Sequence, residues 1–174
     1  MPIHGCAHAF EELASTVLPR HMSRMFAAMT EPKRMADFAQ PGIGTKSLLK
    51  QFDLERDFPG CYVLLDSRLP IYVGISRGVI GRLRQHVRGR THYDASLAYR
   101  MAVARYSGPC LKRWTREEAM QDEMFRMSFK DAQSDLQSLE VASIQIENPL
   151  ERYVFEPYCA MKLDTHQWNS FETH

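Results

Sequence analysis

The chain predicts an α+β domain: a small, mainly antiparallel sheet of three strands flanked by helices, with a helical extension in front. Three observations carry that prediction. Residues 61–65 (CYVLL) and 70–74 (PIYVG) are β-rich runs separated by Asp66-Ser67-Arg68-Leu69, the pattern of a hairpin with a medium loop. A later run, residues 139–146, has the Val and Ile content of a third strand. Elsewhere apolar residues recur at helical rather than alternating spacing.

Taken in order, Phe10, Leu13 and Val17 precede Pro19, and Met22, Met25, Phe26 and Met29 follow it, which predicts two short helices. Their methionine stripe suits core or dimer packing, or an adaptable partner surface. Pro41-Gly42-Ile43-Gly44 breaks the pattern, and Thr45 can cap a further short helix carrying Leu48, Leu49 and Phe52. A boundary follows near 44–55, giving an extension over 1–54 and a domain over 55–174. Beyond the hairpin, Ile80, Leu83 and Val87 make one apolar face of a helix over 79–87, while Arg82 and His86, four apart, share another. Residues 95–105 read as a helix, 116–133 as an acidic, Met-containing helix, and 150–163 as a closing helix. There is no internal repeat and no low-complexity tract.

Composition bounds the function. The 174 residues suit one domain, and 44% hydrophobic with 25% charged residues is far from a disordered profile. No run approaches the roughly 18 apolar residues of a membrane helix, and Met-Pro-Ile-His-Gly-Cys does not open a secretory signal, so a cytoplasmic protein without a membrane partner is expected. Cys6, Cys61, Cys110 and Cys159 form no C-x-x-C pair, which argues against a disulfide framework or zinc ribbon and for reduced, packed thiols. The six histidines other than His86 (His4, His8, His21, His92, His166 and His174) lack metal spacing and are expected at the surface. Net charge is +1, but residues 50–116 hold 13 basic against 5 acidic side chains and 117–174 hold 4 against 12. The middle third is the candidate for polyanion binding.

Gly60-Cys61-Tyr62, then Ile71-Tyr72-Val73-Gly74, then Ser76, Arg82-Leu83 and His86 follow one another at a spacing that resembles the GIY-YIG nucleases. The two tyrosines are ten positions apart, and Glu156 and Asn169 fill the places of that family's later Glu and Asn. The resemblance covers residues 58–90 closely and 139–171 loosely. It leaves the N-terminal extension and a helical insertion at about 91–138 to carry specificity. There are departures. Cys61 stands for the usual Ile, His166 for a Pro, and Pro157 directly follows Glu156, where it is accommodated near a helix start; Glu151 is a rival to Glu156.

The resemblance implies a role for each residue. Glu156 is the single metal ligand, sufficient for Mg²⁺ (with Mn²⁺ as substitute) because this hard ion keeps several waters. Arg82 holds the scissile phosphate with its planar, permanently charged fork. Tyr62 deprotonates the attacking water, which for a phenol of ordinary pKa about 10 requires neighbouring cations. Tyr72 orients water or phosphate, His86 relays a proton or bonds a phosphate oxygen, Asn169 ties the last segment to the active face, and Gly74 permits close approach. Singly these are strand aromatics, a solvated helix edge, a surface acid and a turn residue; the ordered set carries the assignment. Arg77, Arg84, Arg88 and Arg90 are the candidate contacts to nucleic-acid phosphates, with Arg100, Arg105, Lys112 and Arg113 elsewhere in the basic third.

The expected activity is divalent-metal-dependent endonucleolytic cleavage of DNA, duplex for preference, by a compact restriction-like or stand-alone enzyme with no small-molecule cofactor. One site per chain calls for a homodimer or sequential nicking if both strands are cut. The contrasting expectations are a non-catalytic nucleic-acid-binding or interaction module of the same fold, and a nuclease specific for RNA or branched DNA.

Overall fold

The computed structural model describes residues 3–108 and 113–171; Cys110, Lys112 and His174 lie outside them. The elements run α1 (Phe10–Glu12), α2 (Leu18–Thr30), β1 (Lys33–Arg34), α3 (Thr45–Gln51), β2 (Gly60–Asp66), β3 (Leu69–Ser76), α4 (Val79–Arg88), α5 (Ser96–Arg105), α6 (Arg116–Gln121), α7 (Glu123–Ser138), β4 (Glu140–Gln145) and α8 (Pro149–Leu163). The sheet has four strands in the order β1-β4-β2-β3, not the three expected. The extra strand is two charged, exposed residues, Lys33 and Arg34. Periodicity cannot register a strand that short, and lysine with arginine is a composition suited to blunting a sheet edge.

The chain divides into two compact units. The first comprises Met1–Lys33, Asp53–Val79 and Glu140–His174, the second Arg34–Phe52 and Ile80–Leu139. In the first unit β2 pairs antiparallel with both β3 and β4 and is buried from Gly60 to Leu65. Alternation sends Cys61, Val63 and Leu65 to one face, where they meet Val73, Ala142 and Ile144 from the neighbouring strands. Leu18, Met22 and Met25 of α2 and Phe155, Cys159 and Ala160 of α8 cover that face. The methionine stripe of α2 is therefore core. In the second unit α5 and α7 pack through Leu97, Tyr99, Phe125, Phe129 and Leu136.

Local differences from the sequence reading have local causes. Instead of two short helices around Pro19, one helical run spans residues 10–30. A wide π-helical turn over Leu13–Val17, closed by Leu18 N–H to the Leu13 carbonyl, lets the chain pass a proline that has no N–H to give. The helix expected over 116–133 is two, because the Asp122 carboxylate accepts the Phe125 N–H and starts α7 afresh. Pro157 lies inside α8 rather than near its start, which is taken by Asn148 as cap and Pro149 in the first turn. His21 and His92 are buried, not surface residues.

Candidate active site

Tyr62 on β2 is paired with Gly74 on β3, and Tyr72 lies two positions along, so both phenols stand on the same face of the hairpin. Their rings are 6.2 Å apart between centroids and inclined at 52°. Gly74 is what lets them sit there: a β-carbon on it would overlap the Tyr62 phenol. The glycine of the second signature run therefore makes room for the tyrosine of the first. Both rings are buried, Tyr62 to 1% exposure and Tyr72 to 9%.

Asn169 reaches the open edge of β3. Its Oδ1 accepts the Val73 N–H at 2.9 Å, and its Nδ2 donates to the Val73 carbonyl at 2.8 Å. Thr165 Oγ1 donates to the same Oδ1 at 2.9 Å and fixes the amide's orientation. The side chain thus stands in for one residue of a missing neighbouring strand, between Tyr72 and Gly74.

Glu156 lies on the stripe of α8 that includes Arg152, Cys159 and Ala160, the buried side of the helix. It is half-buried and, among the described residues, makes no hydrogen bond or ion pair. Burial raises its pKa to about 6. Its charge also opposes ionisation of the Cys61 thiol, which is held well above its ordinary pKa first by burial and then by the Cys159 thiol beside it. Cys61 and Tyr62 point to opposite faces of β2. The Glu156 charge is thus felt at Cys61, on the side of β2 away from the tyrosine pair.

The rival, Glu151, is engaged elsewhere. Its Oε2 accepts from His21 Nε2 at 3.1 Å, and its Oε1 lies 3.8 Å from His8 Nε2. Arg24 Nη1 meets His21 Nδ1 at 3.1 Å, and since a guanidinium can only donate, the imidazole proton is on Nε2. His21 nevertheless titrates below its ordinary range, chiefly because it is buried.

In the second unit, Arg82 on α4 donates from Nη1 to the Asp94 carbonyl at 2.7 Å and to Gln85 Oε1 at 3.2 Å, and from Nη2 to Ser96 Oγ at 3.0 Å. It therefore fastens the loop that leads into α5, with Nε and one further N–H unaccounted for by these bonds. His86 is fully buried, and its pKa is pushed down to about 3 by burial, then by Arg82 and Arg100. At physiological pH it is a neutral imidazole, which suits positioning better than proton donation. Of the candidate phosphate contacts, Arg84 Nε donates to the Ile43 carbonyl at 2.9 Å. Arg88 and Arg90 are exposed and line a cleft in the second unit. Arg77, in the first unit, lines a largely apolar cleft with Ile3, Leu150 and Arg152.

Sequence reasoning passed over Arg126 and Lys130, which line the same cleft as Arg88 and Arg90, because they sit in the acidic third of the chain. Their signal was the four-residue helical spacing. Among the described residues no group of three or more His, Cys, Asp and Glu is placed to hold a metal. No protein-family model, curated protein or solved structure matches the chain.

Proposed function

We propose that the chain is a GIY-YIG-type phosphodiesterase that cleaves DNA with the help of a divalent cation, acting in the cytoplasm. The observation that carries this reading is Glu156. A half-buried carboxylate with no partner among the described residues and a pKa raised to about 6 destabilises the fold that contains it, and such groups concentrate at functional sites. Support comes from the tyrosine pair packed over Gly74 and from Asn169 clamping the strand between them.

A lone hard-oxygen donor fits Mg²⁺, or Mn²⁺ in its place, because Mg²⁺ is satisfied by one or two carboxylates with waters and phosphate oxygens. Glu156 would hold it, and when bound it supplies Lewis-acid neutralisation of phosphate charge. The protein's own groups do the rest. Tyr62, ionised by the charge of that cation, would take the proton of the attacking water while the P–O bond to the leaving oxygen breaks and solvent protonates that oxygen; Tyr72 holds the phenol in place, and Asn169 keeps β3 in register beneath both. Within the second unit, Arg82 carries a permanent positive charge suited to phosphate, and neutral His86 steadies the turn of helix that bears it. Cutting of both strands requires two copies of the chain or two successive nicks.

A second reading, a nucleic-acid-binding module of the same fold without catalysis, is favoured by the burial of Tyr62 and by the three hydrogen bonds that occupy Arg82. Nicking of supercoiled plasmid in Mg²⁺ or Mn²⁺ separates the two. Wild type is expected to nick, and folded Glu156→Gln and Arg82→Ala variants to lose at least about 10²-fold in rate, the size of effect expected when a charge-stabilising group is removed. A folded wild type that binds DNA yet leaves plasmid, single-stranded, branched and RNA substrates intact would establish the binding module instead.

A further inference from the structure

The second unit has a cleft of its own, of about 500 Å³, between the end of α4 and the flank of α7. Arg88 and Arg90 line it from one side, Arg126 and Lys130 from the other. Among the described residues no carboxylate lines it. Arginine's ion pairs lie elsewhere, in Arg34–Asp37, Arg68–Glu140 and Arg105–Asp135, so the four cations of the cleft have no acidic partner among the described residues. Like charges gathered without counter-charge repel, and a fold that gathers four of them around one concavity is suited to an anion.

The arrangement is ordered along α7. Arg126, Lys130, Gln133, Ser134 and Gln137 all line the cleft and recur at helical spacing, whereas Asp131 and Asp135 fall on other faces of the helix, Asp135 paired with Arg105. Gln133 braces the wall: its Nε2 donates to the Gly89 carbonyl at 2.9 Å and reaches the His86 carbonyl at 3.4 Å. That bond holds the end of α4, and with it Arg88 and Arg90, against α7. Arg126 and Lys130 are four residues apart, about 6 Å along the helix axis, which separates their charges enough to meet two phosphates rather than one.

We infer that this cleft anchors the phosphodiester backbone of a nucleic-acid strand. The site deepens the nuclease reading and rests on it for the class of ligand, but it is tested without cleavage. A single free phosphate offers the same chemistry at one point only; a strand offers it repeatedly, as the spread of cations does.

The test is fluorescence anisotropy of a labelled oligonucleotide, duplex and single-stranded, in EDTA across a salt series. Wild type is compared with Arg126→Ala/Lys130→Ala and with Lys46→Ala/Lys50→Ala, two exposed lysines of α3 whose loss changes net charge equally. Removing two phosphate contacts is expected to flatten the slope of log affinity against log salt by about 1.8 for duplex or about 1.4 for single strand. The α3 variant should keep the wild-type slope. Equal slopes for the cleft variant and the α3 variant, both folded by circular dichroism, would overturn the assignment. So would displacement of the oligonucleotide by millimolar inorganic phosphate beyond the effect of chloride at the same ionic strength, which would make the cleft a free-anion site. A protein that loses slope in the cleft variant yet never nicks plasmid keeps the anchor and forfeits the nuclease; one that nicks with an unaltered slope does the reverse.

Discussion

Two titratable side chains, one half-buried and one fully buried, pull the stability of this protein in opposite directions as pH changes. Glu156 has a folded-state pKa of about 6, above its ordinary value, so its contribution is full below about pH 4.5 and is lost as pH rises through about 6. His86 has a folded-state pKa of about 3, below its ordinary value, so its contribution is full above about pH 6.5 and drains away as pH falls towards 3. Urea titrations of metal-free protein at several pH values separate them. Glu156→Gln is expected to be about 1–2 kcal/mol more stable than wild type at neutral pH, and to lose that advantage near pH 4.5. A stabilised but inactive variant is the signature of a residue kept for function rather than folding. His86→Leu should lose less stability than wild type between pH 6.5 and 4.5, because nothing buried remains there to be charged.

At the scale of elements, two glycines of β2 and β3 set the hairpin, for different reasons. A β-carbon on Gly74 would overlap the Tyr62 phenol, a side chain that can give way; one on Gly60 would overlap the carbonyl oxygen of Ile144, which is backbone. Gly74→Ala is therefore expected to cost about 1–3 kcal/mol, the usual range for overpacking, and Gly60→Ala to cost more, both read from urea midpoints. Gly74→Ala should also depress nicking, since it displaces Tyr62. The hairpin, α4, β4 and α8 were legible from composition and spacing because each is long enough to show a period. What escaped was short or decided by one side chain: β1 has two residues, and the break between α6 and α7 depends on the Asp122 cap. The candidate site could be read only as an ordered set of residues. Nothing in the sequence told that Glu156 would be half-buried with its pKa raised to about 6, since how far a helix face is covered is settled by packing.

Over the whole molecule, charge follows the compact units rather than the linear thirds. The second unit, Arg34–Phe52 with Ile80–Leu139, holds 14 basic and 8 acidic residues; the first holds 8 and 13. A nearly neutral protein is thus the sum of one cationic and one anionic body. Association with nucleic acid is expected to run through the second. Acetylation footprinting checks this: bound DNA should protect Lys130 in the cleft and leave Lys162, over the Tyr158 ring of the first unit, as reactive as in the free protein. Equal protection of both lysines would deny the second unit that role.

The Asn169 amide has one more consequence. By occupying the Val73 N–H and carbonyl it masks a point on β3 where a foreign strand could add, while the opposite border of the sheet ends in Lys33 and Arg34. Clipping the chain after α8 would uncover a β-rich edge and leave it as a template for self-association. The short tail from Thr165 to Asn169 is therefore also a guard against aggregation.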